Sequence, residues 1–199
     1  MIIGLSGAQG GGKSSLLNEL QTRGYTVDAF RVSRAVQAEL GWESLDRVMD
    51  SPDTMMAFQD EVFNQKLKND IAFAKSDEVI LTERTFADIY AYTATWTYKF
   101  IDSGRLDVQA GLKWITGYSV RCEQAQADTY KAALLLPMMS HVVFENDPHR
   151  AEQEDVEVVY ERIEDFCVRC SFKGVRRFFV TEKSIADRAT QVEGFIKQL

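Results

Sequence analysis

Residues 7–14 read Gly-Ala-Gln-Gly-Gly-Gly-Lys-Ser, a G-x-x-x-x-G-K-S string, and nothing else in the chain narrows its fold so far. A short apolar run, residues 1–6, leads into the string, and residues 14–23 leave it with Leu16, Leu17 and Leu20 on one helical face. Strand, glycine-rich turn and helix are therefore expected in that order. Glycines let a backbone wrap around phosphate oxygens with its N–H groups pointing inward, and the helix that follows adds the positive end of its dipole. The expected nucleotide-binding positions are Gly7, Ala8, Gln9, Gly10, Gly11, Gly12, Lys13, Ser14 and Ser15. Lys13 is expected to reach the β- and γ-phosphates and the Ser14 hydroxyl to ligate Mg²⁺. The alternative is a glycine-rich turn that matches by chance; the strand before it and the helix after it both argue against that.

The alternation continues. Residues 25–30 read as a second strand, 31–40 as a helix with Val32, Val36 and Leu40 in phase, and Ser51-Pro52-Asp53 as the start of a long helix. Met56, Phe63, Leu67, Ile71 and Ala74 would form that helix's apolar face. Residues 78–82 read as a buried strand, followed by helices over 86–101 and 107–130, with strands expected at 133–137 and 142–144. A helix over 155–170, a strand at 177–181 and a terminal helix from Ile185 complete the order. With no repeat or linker, this predicts one domain over 1–199, a three-layer α/β/α fold around a central parallel sheet.

Thirty acidic side chains against 23 basic ones give a net charge of -7, so any polyanion must meet a local basic face. Lys173, Arg176 and Arg177, or Arg31, Arg34 and Arg47, could form one. Three cysteines, an odd number, and an opening without a secretory pattern point to a reducing cytoplasm. No apolar stretch approaches the ~20 residues that span a bilayer. Cys167-Val168-Arg169-Cys170 lies in an amphipathic helix with no second cysteine pair, which favours buried thiols over a metal site.

The string Asn-Lys-x-Asp, which reads guanine, does not occur. The third strand ends Leu81-Thr82-Glu83-Arg84, where an ATPase motor would place adjacent acids; an Arg beside an acid suits clamping an anion. Glu83-Arg84-Thr85 resembles the acid-Arg element of P-loop nucleoside and nucleotide kinases. With Gly7-Ala8-Gln9-Gly10, Phe58-Gln59-Asp60-Glu61, Asp88, Ala91 and Tyr92 it is similar to phage members of that family, which include kinases of 5-hydroxymethyluracil in DNA. The resemblance implies a nucleotide-kinase-like P-loop NTPase fold and use of ATP and Mg²⁺. The implied acceptor is a nucleoside, a nucleotide or a hydroxymethylpyrimidine in DNA, within the cytoplasm of a phage host.

By the same resemblance Glu83 holds the metal with Ser14, Arg84 contacts a phosphate, and Asp28, at the end of the second strand, takes the acceptor's proton. A solvated acid or a cap for the helix at 31–40 explains Asp28 equally well. Arg31 and Arg34 could bind an acceptor phosphate or be surface charges. Asp88 could orient Arg84, contact the acceptor, or form a simple ion pair one turn on. Arg150, in the turn at 146–150, is the expected finger of a closing lid, while Arg162 and Arg169 lie on a more acidic helix. A P-loop ATPase or a nucleotide-dependent partner-binding module stands as the other functional class.

Overall fold

Parallel strands buried on both faces read as continuous apolar runs, and Ile2–Ser6 is such a run with every residue buried. The computed structural model describes residues 1–138 and 155–199. Its elements run β1 (Ile2–Ser6), α1 (Lys13–Thr22), β2 (Thr26–Asp28), α2 (Val32–Glu39), a 3₁₀ turn (Leu45–Met49), α3 (Pro52–Ala74) and β3 (Ile80–Glu83). They continue as α4 (Phe86–Asp102), α5 (Val108–Thr129), β4 (Tyr130–Leu135), α6 (Val156–Ser171), β5 (Arg176–Phe179) and α7 (Ile185–Ile196). The strands form one five-stranded parallel sheet in the order β2-β3-β1-β4-β5.

Two apolar clusters sandwich this sheet. Leu16, Leu17 and Leu20 of α1 join Ala189, Val192 and Phe195 of α7 over Ile3, Leu5 and Leu134. On the other face Val36, Phe58, Val62, Phe86, Tyr118 and Phe166 cover Ile2, Ala133 and Leu135. Each such fully buried side chain stabilises the fold by roughly 1.5–3 kcal/mol. The expected three-layer α/β/α fold with a central parallel sheet is the one observed. The connection leaving β1 crosses past β3 to β2, and the one leaving β3 crosses past β1 to β4. A crevice therefore opens between the carboxyl ends of β1 and β3, where such sheets bind ligands.

Three expectations change. The buried face of α3 runs through Met55, Phe58, Val62, Lys66 and Asp70, whereas Ile71 is exposed. Of the expected face Phe63 is buried and Met56 and Leu67 pack against the core, but counting apolar residues alone missed Lys66 and Asp70, which pair inside at 2.9 Å. α5 passes into β4 without a loop, so that strand begins at Tyr130 rather than residue 133. The 3₁₀ turn at Leu45–Met49, capped by the Ser44 hydroxyl, had no clear periodic signal. The expected strand at 142–144 and the lid turn with Arg150 lie outside the described residues. Among the described residues no helix is long and apolar enough to cross a membrane.

Candidate active site

The loop leaving β1 turns on glycines because other residues would be strained there. Gly12 caps α1 at φ 87°, and a Cβ on it would meet the Arg188 Nη1 at 3.2 Å. Gly7, at φ 151°, would set a Cβ 3.1 Å from the Leu136 carbonyl. Alanine at Gly12 is expected to destabilise the loop by about 1–2 kcal/mol and to weaken Mg-ATP binding at least ~10-fold, as read by calorimetry.

Lys13 opens α1 and lies almost buried. Its ammonium donates to the carbonyl oxygens of Gly7 and Ala8 and stands 4.0 Å from the Asp88 carboxylate. Burial pushes this ammonium below the ordinary lysine range, and Asp88 pulls in the opposite direction. Nearby the Ser14 hydroxyl donates to both oxygens of Glu83, each at 3.1 Å. A hydroxyl and a carboxylate converging from α1 and β3 make a hard-oxygen pair of the kind Mg²⁺ accepts alongside phosphate and water. Among the described residues no three His, Cys, Asp or Glu side chains gather into a protein-only metal cage.

Arg84 follows Glu83 with φ 67°, a conformation costing a non-glycine residue about 1–2 kcal/mol. Its amide is tied to the Leu5 carbonyl at 2.9 Å, and its guanidinium lies 5.6 Å from the Tyr92 ring centroid. The turn throws the side chain into the crevice. Asp88 is not its ion-pair partner. Its carboxylate takes the Thr85 amide at 2.9 Å in a capping box that starts α4, and the Gly7 amide at 3.3 Å. Buried Asp88 thus joins the phosphate loop to α4. The Thr-x-x-Asp spacing of a capping box was visible in the sequence; its link to Gly7 was not.

The phosphate loop faces a cavity of about 430 Å³. Residues 9–15, Glu83 and Arg84 form one wall, and Arg31 and Arg34 line the cavity as well. Phe30, Leu45, Val62, Ile89, Tyr92 and Trp96 give it an apolar, aromatic remainder, into which Gln59 is set while only 3% exposed. Burial raises the Tyr92 phenol above its usual range. Leu45, Val62 and Ile89 could not be foreseen as lining, since they meet only through tertiary packing.

Asp28 ends β2 as expected but is not among the residues lining the cavity. Its Oδ1 accepts the Phe30 amide at 3.1 Å, and its Oδ2 accepts from Asn69 at 2.8 Å and Thr82 at 3.2 Å. Arg162 donates to Thr95 at 2.8 Å and Arg169 pairs with Glu123 at 3.3 Å, so both fasten α6 to its neighbours rather than entering the cavity. Cys167 and Cys170 are buried free thiols, as the sequence suggested, Cys122 is a third, and burial raises all three well above the range of a reactive cysteine.

One neighbour of the loop escaped the sequence. Arg188, buried in α7, donates to the Gly11 carbonyl at 3.1 Å and the Glu182 carbonyl at 2.7 Å, bridging the phosphate loop to the segment after β5. Removing it as Arg188→Ala is expected to raise the Kd for Mg-ATP ~10-fold or more, since the buried Gly11 carbonyl and the part-buried Glu182 carbonyl lose a charged donor. Titration calorimetry checks this.

A family described as an AAA domain matches residues 2–188. The chain belongs to that family. No curated protein matches this AAA-domain chain. In fold it is similar to deoxyadenosine kinase from M. mycoides, solved with dCMP and dCDP, at 15% identity over 100% of both chains and a TM-score of 0.67. It is also similar to thymidylate kinase from Candida albicans, at 15% identity, 99% and 91% coverage and a TM-score of 0.70. NadR protein, solved with NAD and AMP-PNP, is matched over 98% of this chain and 48% of its own, at 9% identity and a TM-score of 0.69. At such identities the likeness is one of fold.

Proposed function

We propose that the protein is an ATP-dependent kinase that transfers the γ-phosphoryl group to a hydroxyl of a nucleoside, a nucleotide or a modified pyrimidine. The observation that carries this is that the phosphate loop lines one cavity together with Arg31, Arg34, Phe30, Tyr92 and Trp96. Hydrolysis alone needs no such lining.

In this reading the amides of residues 8–14 and the Lys13 ammonium grip the triphosphate, and Arg84 meets the equatorial oxygens of the group in flight. Ser14 and Glu83 hold magnesium, which when bound offsets charge on the phosphate oxygens. Arg31 and Arg34 take a phosphate of the acceptor, Gln59 offers its amide to a base edge, and Phe30 and Trp96 flank the ring. Phosphoryl transfer has a loose transition state that asks little of a base, so Asp28 enters as an anchor of the acceptor side rather than as an essential proton acceptor. Arg150 is retained as the lid finger on sequence grounds.

Among acceptors, the 5-hydroxymethyl group of hydroxymethyluracil in phage DNA leads on family resemblance, which also places the enzyme in the host cytoplasm. The fold shared with deoxyadenosine and thymidylate kinases supports free nucleosides or monophosphates. Incubation with γ-labelled ATP and each of three acceptors, free nucleosides, monophosphates and hydroxymethyluracil DNA, decides. Label on one acceptor class, abolished by Lys13→Ala, is expected; label in none of them overturns the kinase assignment. The AAA-domain match favours a second reading, an ATPase coupled to a partner, which predicts phosphate release without any acceptor.

A further inference from the structure

α3 carries one cation into the interior. Lys66 is fully buried, and its ammonium donates to Asp70 Oδ1 at 2.9 Å and to the Thr82 hydroxyl at 2.8 Å. Tyr130, at the start of β4, donates its phenol proton to the other Asp70 oxygen at 2.5 Å. A buried ion pair is weak evidence of a stabilising role, because well-packed apolar residues often serve as well. The placement of this one is more informative. Thr82 directly precedes Glu83 and faces Asp28 across the β2–β3 register.

Donor and acceptor chemistry fixes the direction of the chain. An ammonium has donors only, so the Thr82 oxygen accepts from Lys66 and its single proton is left for Asp28 Oδ2, 3.2 Å away. Asn69, on α3, donates to the same oxygen at 2.8 Å. The remaining Asp28 oxygen takes the Phe30 amide at 3.1 Å. One continuous path, Tyr130–Asp70–Lys66–Thr82–Asp28–Phe30, thus runs from the sheet interior to the segment that brings Phe30, Arg31 and Arg34 into the cavity.

We infer that Lys66 and Thr82 are positioning residues: the buried ammonium orients the Thr82 hydroxyl, which aims the Asp28 carboxylate and so holds the acceptor side of the cavity in place. This rests on the proposal that the cavity takes an acceptor beside ATP. Neither residue lines the cavity, and both act through Asp28. The phosphate loop, built on β1 and α1, is outside the path.

Thr82→Val removes the relay's hydroxyl at nearly constant volume and leaves the Lys66–Asp70 pair intact, while Thr82→Ser keeps the hydroxyl. In Thr82→Val the Phe30 amide is expected to exchange with deuterated water at least ~10-fold faster and the acceptor KM to rise ~10-fold or more, with the KM for ATP within about twofold of wild type. Thr82→Ser should restore both. Asp28→Asn, which leaves the interior alone, should give the same acceptor-side defect if Thr82→Val proves too unstable. Unchanged exchange at Phe30, a serine variant that fails to rescue, or an equal rise in the KM for ATP would overturn the inference. Should wild type phosphorylate no acceptor, the kinase assignment falls, whereas the exchange measurement still decides on the path.

Discussion

Lys13→Ala is expected to lower the proposed phosphoryl transfer by at least ~10³-fold while the protein still folds. The lysine supplies the phosphate loop's own cation at the β- and γ-phosphates, and losing a single preorganised charge at developing negative charge costs ~10²–10³-fold or more in other enzymes. Folding should survive because the ammonium's partners are the Gly7 and Ala8 carbonyls and a distant Asp88, and alanine favours the first turn of α1. Removing a cation that burial already holds below its usual range also lifts a desolvation penalty. Label transfer measured beside circular dichroism separates the two outcomes. A Lys13→Ala protein that transfers phosphate at the wild-type rate would remove the assigned site.

Lys66→Met destabilises the fold by about 3–5 kcal/mol, because it leaves the Asp70 carboxylate buried without its cation. For a chain of this size that corresponds to a fall in Tm of roughly 6–20 °C by calorimetry. The defect has a definite pH sense. Burial already raises the Asp70 carboxyl above the usual range despite Lys66 and Tyr130, so the folded state binds a proton more readily than the unfolded chain. Without Lys66 that difference grows, and the variant gains stability as pH falls from the raised folded value toward the ordinary carboxylate range. The double change Lys66→Met with Asp70→Leu recovers much of the loss, since it removes both charges. A single variant as stable as wild type at neutral pH would show that Asp70 is paired otherwise.

What could be read from residues alone was whatever short-range chemistry dictates. The phosphate loop was legible because glycine conformation, the lysine and the serine all lie within eight positions between a strand and a helix. Glu83 and Arg84 were legible as charges at a strand end, and their placement beside Ser14 followed from the parallel register of β1 and β3. Two features were hidden by charge. Lys66 and Asp70 carry charge, so the apolar face read for α3, Met56, Phe63, Leu67, Ile71 and Ala74, left both out, and Asp88 was read as a possible partner for Arg84 when its carboxylate caps α4. The grouping of residues around the cavity was hidden by distance. Arg31, Gln59, Ile89 and Trp96 come from two helices and a loop, and nothing in their local sequence says that they share a cavity. The positive φ at Arg84 had no signal, since strain imposed by the surrounding packing leaves no composition mark.

In the proposed kinase, donor and acceptor occupy one cavity. A bisubstrate ligand, adenosine joined through a polyphosphate to a second nucleoside, tests it in a single calorimetric titration. Tethering should make it bind ~10²-fold or more tighter than Mg-ATP, and the gain should vanish in the Arg31→Ala, Arg34→Ala double variant while Mg-ATP affinity stays the same. Equal affinity for the tethered ligand and ATP, or a gain indifferent to those two arginines, would show that the acceptor does not bind beside ATP.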